Sequence, residues 1–228
     1  MRGKDFFEKI NGKVIVSCQA LPDEPLHSPF IMKRMAYAAM LGGASGIRAN
    51  GIEDIIEIKS KVDLPIIGII KEFYSDCDVF ITPTMKEVDA LYNEGVDVIA
   101  MDATDRIRPN GETIVELFPQ IRKKYPNQLF MADCSTYEEA IVANELGFDC
   151  VATTLSHLRN NSEKNTPDFQ MIKKLSNECS VPVIAEGGIE TPEQLKKVFS
   201  LGVHAAVIGG AITRPMEITK RFIKAIQD

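Results

Sequence analysis

Lys71 and Glu186 are the residue types that proton transfer at carbon requires, and each stands at the end of an apolar run. PIIGII (65–70) leads into Lys71, and PVIA (182–185) leads into Glu186. Short apolar runs of this length read as buried strands. Lys and Glu are almost never fully buried unless paired. A free lysine titrates near ~10.4, and an apolar strand end together with the positive charge of Arg48 lowers that value. The neutral amine then either abstracts a proton or forms a Schiff base with a carbonyl. A carboxyl facing the same carbon from the other side permits inversion there. The competing readings are structural ion pairs: Lys71 with Glu72 or Asp102, and Glu186 with Lys71 or Arg48.

Paired glycines mark a second kind of chemistry. Gly187-Gly188 follows Glu186, and Gly209-Gly210 closes the run beginning Ala205. Glycines let backbone N–H groups approach phosphate oxygens, and a helix N-terminus adds a favourable dipole. The competing reading is two tight turns without a ligand. Arg214, at the start of the last helical stretch, offers a cation to the same phosphate or simply faces solvent. Gln19, Arg48, Asp133 and Thr153 end other apolar runs. They are candidates to bind substrate oxygens, or else members of satisfied polar networks. Of the three histidines, His27 lies in the first loop, bordering the site or without a role, and His204 is read as packing. Cys18 and Cys134 read as small core residues rather than nucleophiles.

Bringing these residues together is the work of a repeated pattern. Apolar runs at 13–18, 45–48, 65–70, 97–101, 129–133, 150–154, 182–186 and 205–209 read as strands. Helical patterns fill 29–42, 52–61, 84–94, 111–125, 136–146, 167–179, 191–201 and 215–227. The strands are apolar on consecutive residues, as parallel strands covered on both faces are. Thr191-Pro192 offers an N-cap and a proline at the first helical position. Eight strand–helix units imply an α/β fold, a (β/α)8 TIM barrel forming one domain over 1–228, with active-site residues at the carboxyl ends of the strands and phosphate loops after strands 7 and 8. The alternative is a doubly wound open sheet.

Composition fits that reading. The chain has 228 residues, 45% hydrophobic and 25% charged, with a net charge of −6. No Lys/Arg block is present, which argues against non-specific nucleic-acid binding. Five scattered cysteines without a CxxC pair suit reduced thiols and a cytoplasmic location. The spacing of His and Cys suggests no zinc site. The longest apolar runs are too short to span a bilayer, and the N-terminus lacks a signal-peptide core.

Several segments resemble one family. SCQALPDEPLH (17–27), GGASGIRAN (42–50), IGIIKEFY (67–74), VFITPTMKEVD (79–89), DATDRIRP (102–109), MADCST (131–136), IAEGGIETPEQ (184–194) and GGAITRPMEITKRF (209–222) are together similar to N-acetylmannosamine-6-phosphate 2-epimerases. The resemblance implies a TIM barrel with neither metal nor redox cofactor, a phosphorylated N-acetyl amino sugar as substrate, and a homodimer. It implies Lys71 and Glu186 as the catalytic pair, with Gln19, Arg48 and Asp133 on the sugar. Gly187, Gly188, Gly209 and Gly210 match its phosphate loops. Three positions depart from the family pattern. Residue 188, often longer and polar in the family, is glycine here, which is expected to preserve the turn. Glu72 replaces an arginine beside Lys71 and is expected to raise the lysine's pKa. His157-Leu158, in the stretch 156–169, replaces a Gly-Tyr pair in the loop that covers the substrate. A Schiff-base aldolase or lyase, and a sugar-phosphate-binding barrel without turnover, are the rival readings.

Overall fold

A computed structural model describes residues 2–158 and 166–227. Eight parallel strands close on themselves in sequence order: β1 (Lys13–Cys18), β2 (Gly46–Asn50), β3 (Ile66–Ile69), β4 (Val98–Asp102), β5 (Leu129–Asp133), β6 (Cys150–Ala152), β7 (Val183–Glu186) and β8 (Ala205–Ile208). Pairing of β1 with β8 completes the ring. The helices are α1 (Arg2–Ile10), α2 (Pro29–Leu41), α3 (Ile52–Lys59), α4 (Met85–Glu94), α5 (Ile114–Lys124), α6 (Tyr137–Leu146), α7 (Phe169–Glu178), α8 (Pro192–Ser200), α9 (Gly210–Thr213) and α10 (Pro215–Lys224). The fold is the expected TIM barrel, not an open sheet.

Side-chain alternation divides the apolar residues into two sets. Ile15, Ile67, Ile69, Val98, Ala100, Met131, Cys150, Ala152, Ile184, Ala205 and Val207 form one buried cluster, the barrel interior. Val16, Ile47, Ile66, Ile99, Phe130, Val151, Val183 and Ala206 belong to a second cluster, between strands and helices. Successive residues of a strand face opposite sides. The interior parity therefore runs upward from Ile15 to Ser17, Ile69 to Lys71, Ala100 to Asp102, Met131 to Asp133, Ala152 to Thr154, and Ile184 to Glu186. On β2 the same parity selects Arg48 and Asn50. The chemistry-bearing side chains are the top layer of the barrel core.

Two helices were not foreseen. In α1, Phe6 and Ile10 lie one turn apart and are buried with the interior cluster. The helix is held by a hydrogen bond between His204 Nε2 and the Phe7 carbonyl at 2.8 Å, so His204 packs as expected. The other is α9, a single turn immediately after β8. Four helices begin with a Thr capping box, at Thr84, Thr113, Thr136 and Thr191, each satisfying N–H groups that a helix start leaves open.

The chain after β3 doubles back over the barrel mouth. The Glu72 N–H donates to the Phe80 carbonyl at 3.0 Å, and the Thr82 N–H to that of Ile70 at 2.7 Å, with Lys71 bridging Ile81 in antiparallel sense. Thr82 adopts φ +46°, costly for a β-branched residue. Its hydroxyl is anchored to the Ala100 carbonyl at 2.7 Å.

Candidate active site

Lys71 and Glu186 line the same pocket at the carboxyl ends of the strands. Its volume is about 280 Å³, and Gln19, Arg48, Gly209 and Arg214 share its wall. A second cavity of about 190 Å³ adjoins it through Thr154, Glu186, Gly209 and Gly210, and includes Gly187 and Gly188. A larger cavity of about 380 Å³ lies at the opposite end of the barrel, near Lys9, Asp97 and Gln128. None of the proton-transfer or phosphate candidates reaches it.

The floor of the site is an ion-pair network. Arg48, on β2, is 1% exposed. Its Nη1 donates to Asp133 Oδ1 at 3.0 Å and its Nη2 to Asp133 Oδ2 at 2.6 Å. The same Nη1 donates to Glu186 Oε2 at 3.0 Å. Burial works against the Arg48 charge, but Asp133 and Glu186 overcome it and raise its proton affinity above the ordinary arginine value. Nε of Arg48 is buried and has no hydrogen-bond partner among the described residues. The guanidinium thus retains one unused donor. Both readings of Glu186 hold at once: it is ion-paired with Arg48, and it faces the pocket.

Burial raises the Glu186 carboxyl from 4.5 to about 7; Arg48 opposes the rise, and Asp133 adds to it. One guanidinium shared between two carboxylates cannot fully neutralise both, and the second retains its proton more readily. Burial lowers Lys71 from 10.5 to about 8, with Arg48 and Arg214 lowering it further. The groups that pull it back up are Glu186 and Glu24. The expected effect of Glu72 is corrected here. Glu72 has the opposite strand parity and an exposed side chain, so water screens its charge from the amine. The Lys71 backbone is fixed by its N–H bond to Asn50 Oδ1 at 2.8 Å.

The remaining candidates divide by parity. Gln19 lines the pocket and donates to Ser17 Oγ at 2.7 Å. Asp133 is fully buried beneath Arg48, and the pocket wall does not include it. Thr153 points the other way: its hydroxyl donates to the Glu186 carbonyl at 2.9 Å. Its neighbour Thr154 lines both cavities instead. Arg214 borders the pocket but is paired with Glu24 from the first loop, Nε to Oε1 at 3.1 Å. Asp102 is consumed by Thr104 and Arg106. His27 meets the Ala20 carbonyl at 3.1 Å. Cys18 and Cys134 are buried, and burial raises both thiols.

Gly187 and Gly188 have φ of +100° and +69°. A Cβ on Gly188 would lie 2.6 Å from the Thr166 carbonyl carbon, so only glycine fits this turn. His157 reaches the pocket wall, whereas residues 159–165 of the altered loop lie outside the described residues. Sequence reasoning missed Ser17, Thr154, Phe80, Ile81 and Thr213 as pocket residues. Strand parity marks Ser17 and Thr154, but no local signal announces the fold-back that brings Phe80 and Ile81.

Residues 32–228 match the NanE family model, described as "Putative N-acetylmannosamine-6-phosphate epimerase". The chain belongs to the N-acetylmannosamine-6-phosphate epimerase family. A Clostridioides difficile (strain 630) protein named as an N-acetylmannosamine-6-phosphate 2-epimerase of this kind is 57% identical over 96% of this chain and 98% of its own. One from Listeria monocytogenes is 51% identical over 99% and 96%. The solved structure of the N-acetylmannosamine-6-phosphate 2-epimerase from Clostridium perfringens superposes with a TM-score of 0.91 at 55% identity, covering 96% of this chain and 95% of that one. A thiamine phosphate pyrophosphorylase from Pyrococcus furiosus, 15% identical with a TM-score of 0.61, shares the fold alone. Family membership accounts for the motif blocks; the network beneath the pocket is what this epimerase-family barrel builds from them.

Proposed function

We propose that the protein interconverts N-acetylmannosamine 6-phosphate and N-acetylglucosamine 6-phosphate by moving a proton at carbon 2. The observation that carries this is one pocket walled by an amine near pKa 8 and a carboxyl near 7, beside a cavity ringed by four glycines. Family membership favours an epimerase over the Schiff-base lyase and over the non-catalytic barrel.

In the open-chain sugar, carbon 2 lies next to the aldehyde, and its proton is acidified. Neutral Lys71 removes that proton from one face. The electron pair spreads to the carbonyl oxygen as an enolate, for which Arg48 and Gln19 are the nearby donors. Protonated Glu186 returns a proton to the other face, and in the reverse direction the roles exchange. The phosphate rests against Gly187, Gly188, Gly209 and Gly210 with Arg214 alongside. Anchored there, the sugar presents carbon 2 to both groups. Among the described residues, no group of three or more His, Cys, Asp or Glu is placed to hold a metal.

Turnover of N-acetylmannosamine 6-phosphate in deuterated water tests the reading. The wild type incorporates deuterium at carbon 2 in the epimerised product. Lys71→Ala loses both exchange and epimerisation. Glu186→Ala exchanges one epimer's proton without inverting it. Wild-type epimerisation without solvent deuterium would sink the proposal, and so would borohydride trapping of a Lys71 adduct.

The same reading includes a cytoplasmic homodimer. In α10 and the turn that follows it, Phe222, Ile223 and Ile226 are 74%, 49% and 83% exposed, an apolar patch suited to a second copy. No helix among the described residues is long and apolar enough to cross a membrane. Sedimentation at micromolar protein decides between monomer and dimer.

A further inference from the structure

Thr154 continues the interior parity of β6 above Cys150 and Ala152, and it lines both cavities. Its hydroxyl donates to Asp133 Oδ1 at 2.6 Å. That oxygen also accepts from Arg48 Nη1 at 3.0 Å, and the same Nη1 donates to Glu186 Oε2 at 3.0 Å. Two donors, from Thr154 and Arg48, therefore meet at one Asp133 oxygen, and the fourth residue of the chain is the proposed acid, Glu186. Thr153, the next residue back, ties down the Glu186 backbone on both sides: it donates to the Glu186 carbonyl at 2.9 Å and accepts from its N–H at 3.2 Å.

We propose that Thr154 is a positioning residue for the reaction: its hydroxyl fixes the Asp133 carboxylate and thereby sets how much of the Arg48 guanidinium reaches Glu186. This rests on the epimerase reading above. The charge balance explains the need. Asp133 takes two N–H bonds from Arg48, while Glu186 takes one. The Thr154 hydroxyl also lowers the proton affinity of the Glu186 carboxyl directly, and on Asp133 it supplies part of what that carboxylate would otherwise draw from the arginine. Remove it, and Asp133 draws the guanidinium toward itself. The negative field on Glu186 then grows, and Glu186 holds its proton more tightly. The other charged and titratable groups facing this pair are Lys71 beyond β3, Cys150 below Arg48, and His157, Arg214 and Glu24 toward the pocket mouth.

The test is a carboxyl-carbon NMR titration of the free protein labelled at glutamate, with the Glu186 resonance identified by its loss in Glu186→Gln. Thr154→Val is expected to move the Glu186 midpoint upward by about half to one pH unit. Thr154→Ser, which restores the hydroxyl, is expected to titrate like the wild type. The matching limb of the kcat profile moves with the midpoint, while KM stays within about twofold. A midpoint unchanged or lowered in Thr154→Val overturns the proposal, and so does a serine variant that behaves like the valine one. Should Thr154→Val fail to fold, Thr154→Ala takes its place with the same outcomes. The titration needs no substrate. Absence of wild-type turnover counts against the epimerase reading alone, and the titration still decides the role of Thr154.

Discussion

Arg48 Nη1 lies 3.0 Å from Glu186 Oε2, and the arginine's other contacts go to Asp133. One buried cation serves two carboxylates, so its removal leaves two buried anions without a partner. Arg48→Met is expected to destabilise the fold by about 3–5 kcal/mol at neutral pH. Adding Glu186→Gln and Asp133→Asn to that variant recovers much of the loss. Urea denaturation midpoints of the single and triple variants check this. Additive losses would show that the three side chains do not act as a unit.

Catalysis and pH are linked through the pair. The productive form for one direction is neutral Lys71 with protonated Glu186; for the other it is the ammonium with the carboxylate. These two forms carry the same number of protons. With values of about 8 and about 7, kcat/KM is expected to follow a bell centred between them. The bell has the same shape in both directions, and its limbs are macroscopic values of the pair. Initial rates from each epimer between pH 5.5 and 9.5 test it. Different bell shapes for the two directions would contradict the assignment.

Glu186 is also a cost to the fold. Its folded value of about 7 lies above the ordinary 4.5, so the folded state binds the proton more tightly than the unfolded chain does. The stability this gives is fully present below pH 4.5 and is lost as pH rises to 7. Glu186→Gln is therefore expected to gain about 1–3 kcal/mol on the wild type at pH 8 relative to pH 4.5. Melting temperatures at the two pH values measure the gain.

Most of the barrel is legible in the sequence because most strands are apolar runs ended by a polar residue. Lys71, Arg48 and Glu186 are legible for the same reason. What the run cannot specify is which of two adjacent polar residues faces inward. At Thr153-Thr154 the answer depends on the pairing of Ala152 with Ile184 and Asp133, a long-range register. Asp102 illustrates the converse. It has interior parity, yet Arg106, four residues on, turns back and claims it. The helix α1 carried a signal in Phe6 and Ile10, but its burial depends on a barrel end assembled from distant strands.

Gly188 tests the phosphate seat. Gly188→Ala sets a Cβ against the Thr166 backbone at φ +69°, a cost of about 1–3 kcal/mol. The loop shifts, and KM for the sugar phosphate is expected to rise at least about tenfold, with a smaller change in kcat. Gly202→Ala has a comparable φ of +90°, with only the Ser176 Cβ nearby at 3.7 Å, and serves as the strain control with KM unchanged.

The Glu24–Arg214 pair sets the cation's availability. Glu24→Gln is expected to free Arg214 and tighten binding of inorganic phosphate several-fold, whereas Arg214→Ala weakens it by about tenfold. Calorimetric titration with phosphate distinguishes the two. Equal affinities in both variants would remove Arg214 from the phosphate seat.

Closure of the ring by β1 against β8 has a consequence for synthesis. The side chains that meet at the mouth are drawn from Ser17 through Arg214, so a nascent chain on the ribosome holds the amine long before the carboxyl. β8 is made after the other seven strands. Until then the first strand has an open edge that only residues 205–208 can cover. Competence therefore waits on the strand made last of the eight, and a chain released short of β8 carries every early motif and no working mouth.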